Sequence, residues 1–185
     1  MKTRWLAVLV PFIAAGCGYN TIQTLDEQAQ AAKQNIEVQL QRRADLVPNL
    51  VATVKGYAAQ EEEIFTRVAE ARAGLIGAVR GGAPAEMAAA NDQLTGALGR
   101  LLAISESYPQ LKSDQNFLRL QDELTGTENR IAVSRSDYNQ AVRQYNTYIR
   151  KFPAVLTAKV VGADEREYFE VDPASREVPE VDFST

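Results

Sequence analysis

The sequence predicts an all-α protein: an antiparallel, up-and-down four-helix bundle with long amphipathic helices and a short irregular C-terminal tail. Three observations predict this fold. Long stretches are rich in Ala, Gln, Glu, Arg and Leu, which are good helix formers. Large apolar residues recur at every seventh position in the second half of the chain. Prolines, which rarely lie inside helices, divide the chain at fairly regular intervals, at Pro48, Pro84, Pro109 and Pro153.

Composition excludes several classes of function. The 185 residues are 45% hydrophobic and 24% charged, as expected for one globular domain. The formal net charge of −4 argues against nucleic-acid binding, which needs a concentrated basic surface. The chain has no histidine, so it lacks the commonest general base and metal ligand, and a serine–histidine triad is excluded. We therefore expect neither a cofactor nor an enzymatic activity.

The start of the chain has the layout of a secretory signal. Lys2 and Arg4 precede the apolar run "WLAVLVPFIAA" of residues 5–15, and small residues follow it. The run is shorter than the ~20 residues that span a bilayer. The single cysteine of the chain, Cys17, comes directly after this signal.

The ending "AAGC" resembles the lipobox of bacterial lipoproteins. It comprises Ala14, Ala15, Gly16 and Cys17, with Ala14 at a position where leucine is most common. The resemblance implies a diacylglyceryl group on the Cys17 thiol, cleavage before that residue, and anchoring to a membrane through the lipid. An uncleaved membrane helix and a buried, inert cysteine are the alternatives.

Two further expectations concern the placement of an anchored chain. Gly18 is not the aspartate that typically retains a lipoprotein in the inner membrane. In a bacterium with two membranes we therefore expect the outer membrane, with the protein facing the periplasm. Loss of Lys2 and Arg4 makes the mature chain more acidic, so we expect the domain to stand off anionic lipid.

The first two helices are predicted over about residues 21–43 and 45–80. Asp45 is the predicted N-cap of the second helix, with Pro48 in its first turn and Gly81-Gly82 at its end. This interpretation places a break near Asp45–Pro48, and one long kinked helix is the alternative. The first apolar stripe is Ile22, Leu25, Ala29, Ala32, Ile36 and Leu40; the second helix has Val47, Val54, Val68 and Leu75 beside Leu50, Tyr57, Ile64 and Ala71.

The third and fourth helices are predicted from Pro84 to Ser105 and from Ser113, as N-cap, to Arg150. A sustained seven-residue period in the fourth helix predicts a left-handed supercoil. Two Tyr–Asn pairs, Tyr138-Asn139 and Tyr145-Asn146, share this period, and we expect their aromatic rings in the core. The apolar positions are Met87, Leu94, Leu98, Leu101 and Tyr108 in the third helix, and Phe117, Leu124, Ile131, Tyr138, Tyr145 and Phe152 along the fourth.

Residues 153–185 differ from the rest, because they are rich in acids and prolines. We predict a short helix near 154–161, then a tail that packs on the bundle through Tyr168, Phe169, Val181 and Phe183. A disordered acidic tail is the alternative. The chain is thus divided into a signal peptide (1–16), a four-helix bundle (17–152) and a C-terminal extension packed on the bundle (153–185).

Four charged residues lie on or beside the predicted core lines. Glu61 falls on the core line of the second helix, and Arg72, Glu128 and Arg135 flank core lines. A buried carboxylate is costly unless it is paired, so we predict an interhelical ion-pair network that fixes register, with Glu61 and Arg72 as one pair. The alternative is a polar ligand site, although bundles that bind metals use a Glu-x-x-His pair.

A further basic pair, Arg42 and Arg43, lies in "QRRAD" at the predicted end of the first helix. Positive charge stabilises a helix C-terminus, and this is the role we predict for the pair. A docking point for an acidic partner is the alternative.

Three long segments resemble the LemA family. They are "VQLQRRADLVPNLVATVKGYAAQE" (38–61), "LLAISESYPQLKSDQNFLRLQDELTGTENRIAVSRSDYNQAVRQYNTYIRKFP" (101–153) and the ending "YFE…VPEVDF". The resemblance implies an all-helical, up-and-down bundle held outside the cytoplasm by its amino end. It lends no activity, because the family has no settled one. The chain departs from the family at Lys33 and Gln60, where Trp and His are frequent, and in its lipobox, where a longer membrane segment is usual.

These observations predict a lipid-anchored cell-envelope protein that acts as a non-catalytic binding or scaffold module for an unknown envelope protein. One alternative is an enzyme or ligand-binding protein with a carboxylate site around Glu61. The other is a structural envelope protein that associates with copies of itself.

Overall fold

The structure is a computed structural model that describes the backbone of residues 3–170 and the side chains from Gly18 onward. The predicted all-α class is confirmed: this part of the chain holds six α-helices, one 3₁₀ turn and no strand. Predictions for Val181 and Phe183 lie outside the described residues, as does the side chain of Cys17. The helices are α1 (Thr3–Lys55), α2 (Glu62–Gly81), α3 (Pro84–Ala103), α4 (Pro109–Lys112), α5 (Gln115–Arg150) and α6 (Ala154–Val161), and the 3₁₀ turn is Ile104–Ser107.

The predicted break near Asp45–Pro48 is wrong, because α1 continues through Pro48 to Lys55. Proline has no N–H, so the carbonyl of Ala44, four residues earlier, loses its helical donor. Arg72 on α2 replaces that donor, with its Nε 2.8 Å from the Ala44 oxygen. The chain leaves the helix only at residues 56–61, so the predicted second helix is divided between α1 and α2 and Asp45 caps nothing.

The other helix ends follow the local sequence. Gly82 has φ +74°, a left-handed conformation that glycine adopts without strain, and its N–H donates to the Ala78 carbonyl at 3.0 Å. Pro84 then opens α3 at its first position. The cap of α5 is Asp114 rather than the predicted Ser113, and its carboxylate accepts the Phe117 N–H at 2.9 Å.

The helices pack in two distinct sections along α1. In the distal section, α2 packs on the half of α1 that ends at Lys55, α3 packs on α2, and the start of α5 lies near the end of α1. In the proximal section, α6 and the end of α5 pack against α1 from Gly18 to about Leu25. Helices α1 and α5 are antiparallel, since Tyr57 contacts Asp114 at one end and Ile22 packs against Ile149 at the other.

The core follows the predicted apolar lines, with two corrections. Most positions of these lines are buried, including five of the six seven-residue positions along α5. Phe152 is the exception: it lies beyond the end of α5 and is 81% exposed. Tyr57 is also exposed, because the chain leaves α1 just before it. A second, smaller core in the proximal section joins Ile22, Tyr145, Ile149 and Ala158.

Among the helices of the described residues, none combines the length and the hydropathy that crossing a membrane requires.

Candidate functional site

Side chains from α1, α3 and α5 meet at one level of the distal section, around Arg43. Its Nη1 donates to Asn91 Oδ1 on α3 at 2.6 Å, and its Nη2 lies 3.5 Å from Glu128 Oε2 on α5. The next residue of α1, Ala44, receives Arg72 from α2. We call Arg43, Arg72, Asn91 and Glu128 the polar layer. It links the four long helices at a single cross-section.

Arg43 is the buried member of the polar layer, with only 2% of its surface exposed. Burial lowers the pKa of Arg43 below its ordinary value, and the carboxylates of Glu128 and Asp92 oppose that shift. Its Nε is buried without a hydrogen-bond partner. The Glu128 side chain is 55% exposed, so solvent screens this ion pair and its contribution to stability is small.

The predicted pairing of Glu61 with Arg72 is wrong. Glu61 stands at the N-cap position of α2, in the exposed link after α1, and is not a core residue. Its Oε1 accepts from the Tyr108 hydroxyl at 3.5 Å, and the Gln60 amide donates to the same hydroxyl. Because Arg72 contacts Ala44 instead, the two predicted partners bind different elements.

The remaining predicted residues lie apart from the polar layer's centre. Arg42 is exposed on α1, whereas its neighbour Arg43 is buried. Because α1 continues to Lys55, the interpretation of this pair as a helix C-terminus is wrong. Arg135 is half-buried on α5, seven residues beyond Glu128.

A second polar site, not predicted from the sequence, holds residues 163–170 against α5. Asn146 donates through Nδ2 to the Arg166 carbonyl at 2.9 Å and accepts the Arg166 N–H at 2.9 Å. Asn139 does the same for Phe169, at 3.1 and 2.8 Å. We call these two asparagines the asparagine clamp. Each satisfies both main-chain groups of one residue in a segment that has no strand to pair with.

The spacing of the asparagine clamp matches the geometry of an extended chain. Seven residues along a helix advance about 10.5 Å. Three residues of extended chain advance about 10 Å, so Arg166 and Phe169 match two asparagines that lie about two helical turns apart. The segment runs antiparallel to α5, since Asn146 holds Arg166 and Asn139 holds Phe169.

Side chains add further contacts to the clamp. The Arg166 guanidinium forms a two-pronged ion pair with Asp26 on α1, at 2.8 and 3.0 Å, which raises the pKa of Arg166. The same group lies over the Tyr145 ring. The Tyr138 hydroxyl donates to the Glu167 carbonyl at 2.8 Å, and burial raises the pKa of that hydroxyl. Phe169 is only 2% exposed, so the segment completes the core.

One signal in the sequence marks the asparagine clamp. The dipeptide Tyr–Asn occurs at 138–139 and again at 145–146, one heptad apart. The tyrosines were predicted as core residues, and both are buried. The asparagines beside them are the informative part, because two amides one heptad apart on a helix can hold an extended segment.

A polar groove lies between α2 and α3 in the distal section. It has a volume of about 380 Å³, and its charged and polar lining includes Arg67, Glu70, Asp92, Gln93 and Arg100. Both signs of charge are present, so the groove suits a polar or charged surface. It contains no histidine or cysteine, and within residues 18–170 no group of three such side chains or carboxylates is placed to hold a metal ion.

The chain is similar to several known proteins and to one family. The model of the LemA family matches residues 32–183. Magnetosome proteins MamQ 1 and MamQ 2 of Paramagnetospirillum magneticum (strain AMB-1) are 34% identical to the chain over 179 residues. Magnetosome protein MamQ of Magnetospirillum gryphiswaldense (strain MSR-1) is also 34% identical. These matches cover 84% of this chain and 66% of each relative, just under two thirds of its length. Because the family model matches most of the length of this chain, the chain belongs to the LemA family.

Proposed function

We propose that the chain is a lipid-anchored cell-envelope protein and acts as a non-catalytic scaffold that presents a binding face to another envelope protein. The lipid is carried by Cys17, and in a cell with two membranes the protein is anchored to the outer membrane and faces the periplasm. Its helices form an antiparallel bundle that holds the binding face away from the anchor.

The polar layer is the observation that carries this proposal. Arg43 and Arg72 direct their donors to Asn91, Glu128 and the Ala44 carbonyl, and all of these acceptors lie within the chain. Such groups hold four helices in fixed register, which is what a scaffold requires. The alternative of a carboxylate site around Glu61 has less support, because the carboxylate of Glu61 accepts from a half-buried tyrosine hydroxyl and no second carboxylate is placed beside it to hold a metal ion within residues 18–170.

The asparagine clamp supports the same conclusion for the proximal section. It fixes residues 163–170 along α5 and, through Arg166 and Asp26, to α1 as well. The two sections are therefore parts of one continuous rod built on α1. From Gly18 to the level of Arg43 this rod is about 40 Å long.

We place the partner on the groove between α2 and α3. The groove lies at the level of the polar layer, since Asp92 follows Asn91 on α3, and it exposes both signs of charge. A charged surface of this kind gives specificity and fast association with a polar partner. The similar MamQ proteins are named magnetosome proteins, and an anchored scaffold is compatible with that name.

Metabolic labelling tests the anchor directly. Cells that express the full chain are given a radioactive fatty acid, with Cys17→Ser as the matched control. We expect label in the wild-type chain and none in the variant. Equal labelling of both chains, or of neither, would remove the lipid anchor from the proposal.

A further inference from the structure

The exposed large apolar side chains of the described residues are concentrated at one end of the molecule. Five of the nine lie at Tyr19 and in the short segment 152–161. Phe152 is 81% exposed, Leu156 58% and Val160 87%. The other four, Val38, Tyr57, Leu118 and Val133, are distributed over the rest of the molecule. Such a concentration indicates an interaction surface, whereas isolated exposed apolar residues need no explanation.

The apolar residues of α6 divide between two faces. Ala154 and Ala158 are buried, and Ala158 belongs to the proximal core with Ile22, Tyr145 and Ile149. Leu156 and Val160, four residues apart, share the opposite face and point to solvent. Phe152, two residues before the start of α6, is also exposed, and we call Phe152, Leu156 and Val160 the α6 face.

The charge around the α6 face has the opposite sign to that of the whole chain. Residues 148–165 contain Arg150, Lys151 and Lys159 against Asp164 and Glu165, a formal balance of +1 in a chain whose net charge is −4. Glu165 pairs with Arg150 at 3.5 Å, and both lysines, which neighbour Phe152 and Val160 in the sequence, are exposed. Exposed apolar side chains flanked by lysines are typical of helices that lie in the interface of an anionic bilayer.

Helix α6 also packs against the part of α1 that directly follows the N-terminal apolar run. Gly18 packs against Thr157 so closely that a Cβ at Gly18 would be 3.2 Å from Thr157 Oγ1. From this point α1 continues as a helix to Thr3 and carries the apolar run of residues 5–15. A membrane that receives this run, or a lipid on Cys17, therefore begins beside α6.

We propose that the α6 face rests on an anionic phospholipid surface, with Phe152, Leu156 and Val160 in the interface and Lys151 and Lys159 at the lipid headgroups. This contact fixes the tilt of the rod relative to the membrane. It revises the expectation that an acidic domain stands off the bilayer, because the local charge of the docking face is positive. The inference rests on the membrane placement in the proposed function, but it does not require that the lipid be on Cys17.

Photocrosslinking in vesicles tests the proposal. The full chain is reconstituted into vesicles of phosphatidylethanolamine and phosphatidylglycerol, with a benzophenone amino acid at position 156. The matched control carries it at position 133 on α5, where Val133 is similarly exposed. We expect phospholipid adducts several-fold more abundant at 156 than at 133. Equal lipid adducts at both positions, or an adduct at 156 mainly with a second copy of the chain, would overturn the proposal.

Two further arms make the test specific. Replacement of the vesicle lipid by phosphatidylcholine, or the change Lys151→Gln with Lys159→Gln, is expected to reduce the lipid adduct at 156 several-fold. No reduction in either would overturn the anionic preference. The mass of the peptide that contains Cys17 is measured on the same preparation. An unmodified Cys17 together with a strong lipid adduct at 156 would refute the lipid anchor of the proposed function and would still support the α6 contact.

Discussion

At the scale of single residues, Arg43 shows how a buried charge can be used for register. Its guanidinium reaches α3 and α5, while its aliphatic stem fills space in the core of the distal section. Arg43→Ala removes the hydrogen bond and leaves a cavity, so we expect the free energy of unfolding to fall by about 2–4 kcal/mol. Arg43→Met keeps most of the volume and is expected to stay within about 1 kcal/mol of wild type.

Urea denaturation of both variants checks this prediction, with Arg42→Met as the control because Arg42 is exposed beside Arg43. If Arg43→Met were as unstable as Arg43→Ala, the stability of the polar layer would depend on the charge of Arg43 and not on its volume.

Asn146 is the residue on which the docking of residues 163–170 depends most. It is 1% exposed and makes two hydrogen bonds to the main chain of Arg166. In Asn146→Ala both main-chain groups lose their partner, so we expect the docked segment to be destabilised by about 2–3 kcal/mol. Hydrogen exchange of the amides in residues 163–170 measures the effect, with Asn129→Ala on exposed α5 surface as the control.

In this experiment, faster exchange confined to residues 163–170 and the adjoining turn of α5 is the expected pattern. Unchanged exchange in Asn146→Ala would show that Phe169 and the Arg166–Asp26 pair suffice without the clamp.

At the scale of elements, the long helix α1 depends on α2 to pass Pro48. With Pro48 present, the change Arg72→Met leaves the buried Ala44 carbonyl without a donor. We expect the free energy of unfolding to fall by about 1–3 kcal/mol. Pro48→Ala restores an N–H to that carbonyl, so the same Arg72→Met change is expected to cost about 1 kcal/mol less in this background. A double-mutant cycle by denaturant unfolding measures the coupling. Additive effects of the two changes would contradict this account of α1.

The start of α5 predicts an effect of pH. Hydrogen bonds from the Phe117 N–H and the Tyr57 hydroxyl lower the pKa of Asp114 below its ordinary value. A carboxylate with a depressed folded-state pKa stabilises the fold above its unfolded pKa of about 3.9 and loses that contribution as pH falls through the folded value. Asp114→Asn can still cap the helix but does not titrate.

We therefore expect wild type to exceed Asp114→Asn in melting temperature at pH 7, and the difference to shrink below about pH 4. Thermal unfolding followed by circular dichroism across this range measures it. A difference that stays constant down to pH 2 would show that the charge of Asp114 is unimportant.

The elements also show how far the sequence could predict the structure. Periodicity located α3, α5 and most of the core, because burial on a helix follows from apolar spacing. It failed at Pro48, because the donor that lets α1 continue comes from Arg72, which is distant in sequence. The roles of Glu61 and Arg43 were missed for the same reason, since both depend on where α1 ends. The asparagine clamp depends on a segment whose docked path has no periodicity of its own.

At the scale of the whole molecule, the polar layer and the asparagine clamp make one rod from two sections. The proximal end carries the α6 face and the N-terminal segment. The distal section carries the charged groove between α2 and α3. In the proposed function, this arrangement separates the proposed membrane contact from the proposed partner contact by about 40 Å along α1. A protein built in this way can hold a partner at a fixed distance from a membrane.

Crosslinking in cells, followed by mass spectrometry, tests this central claim most directly. The full chain carries a photoreactive residue at Gln93 in the groove, with Val133 as the control position and Cys17→Ser as the control for anchoring. We predict one dominant envelope protein captured from position 93, absent from position 133 and lost in Cys17→Ser. Capture of copies of the chain alone, or no capture at position 93, would contradict the account of an anchored scaffold with a binding face between α2 and α3.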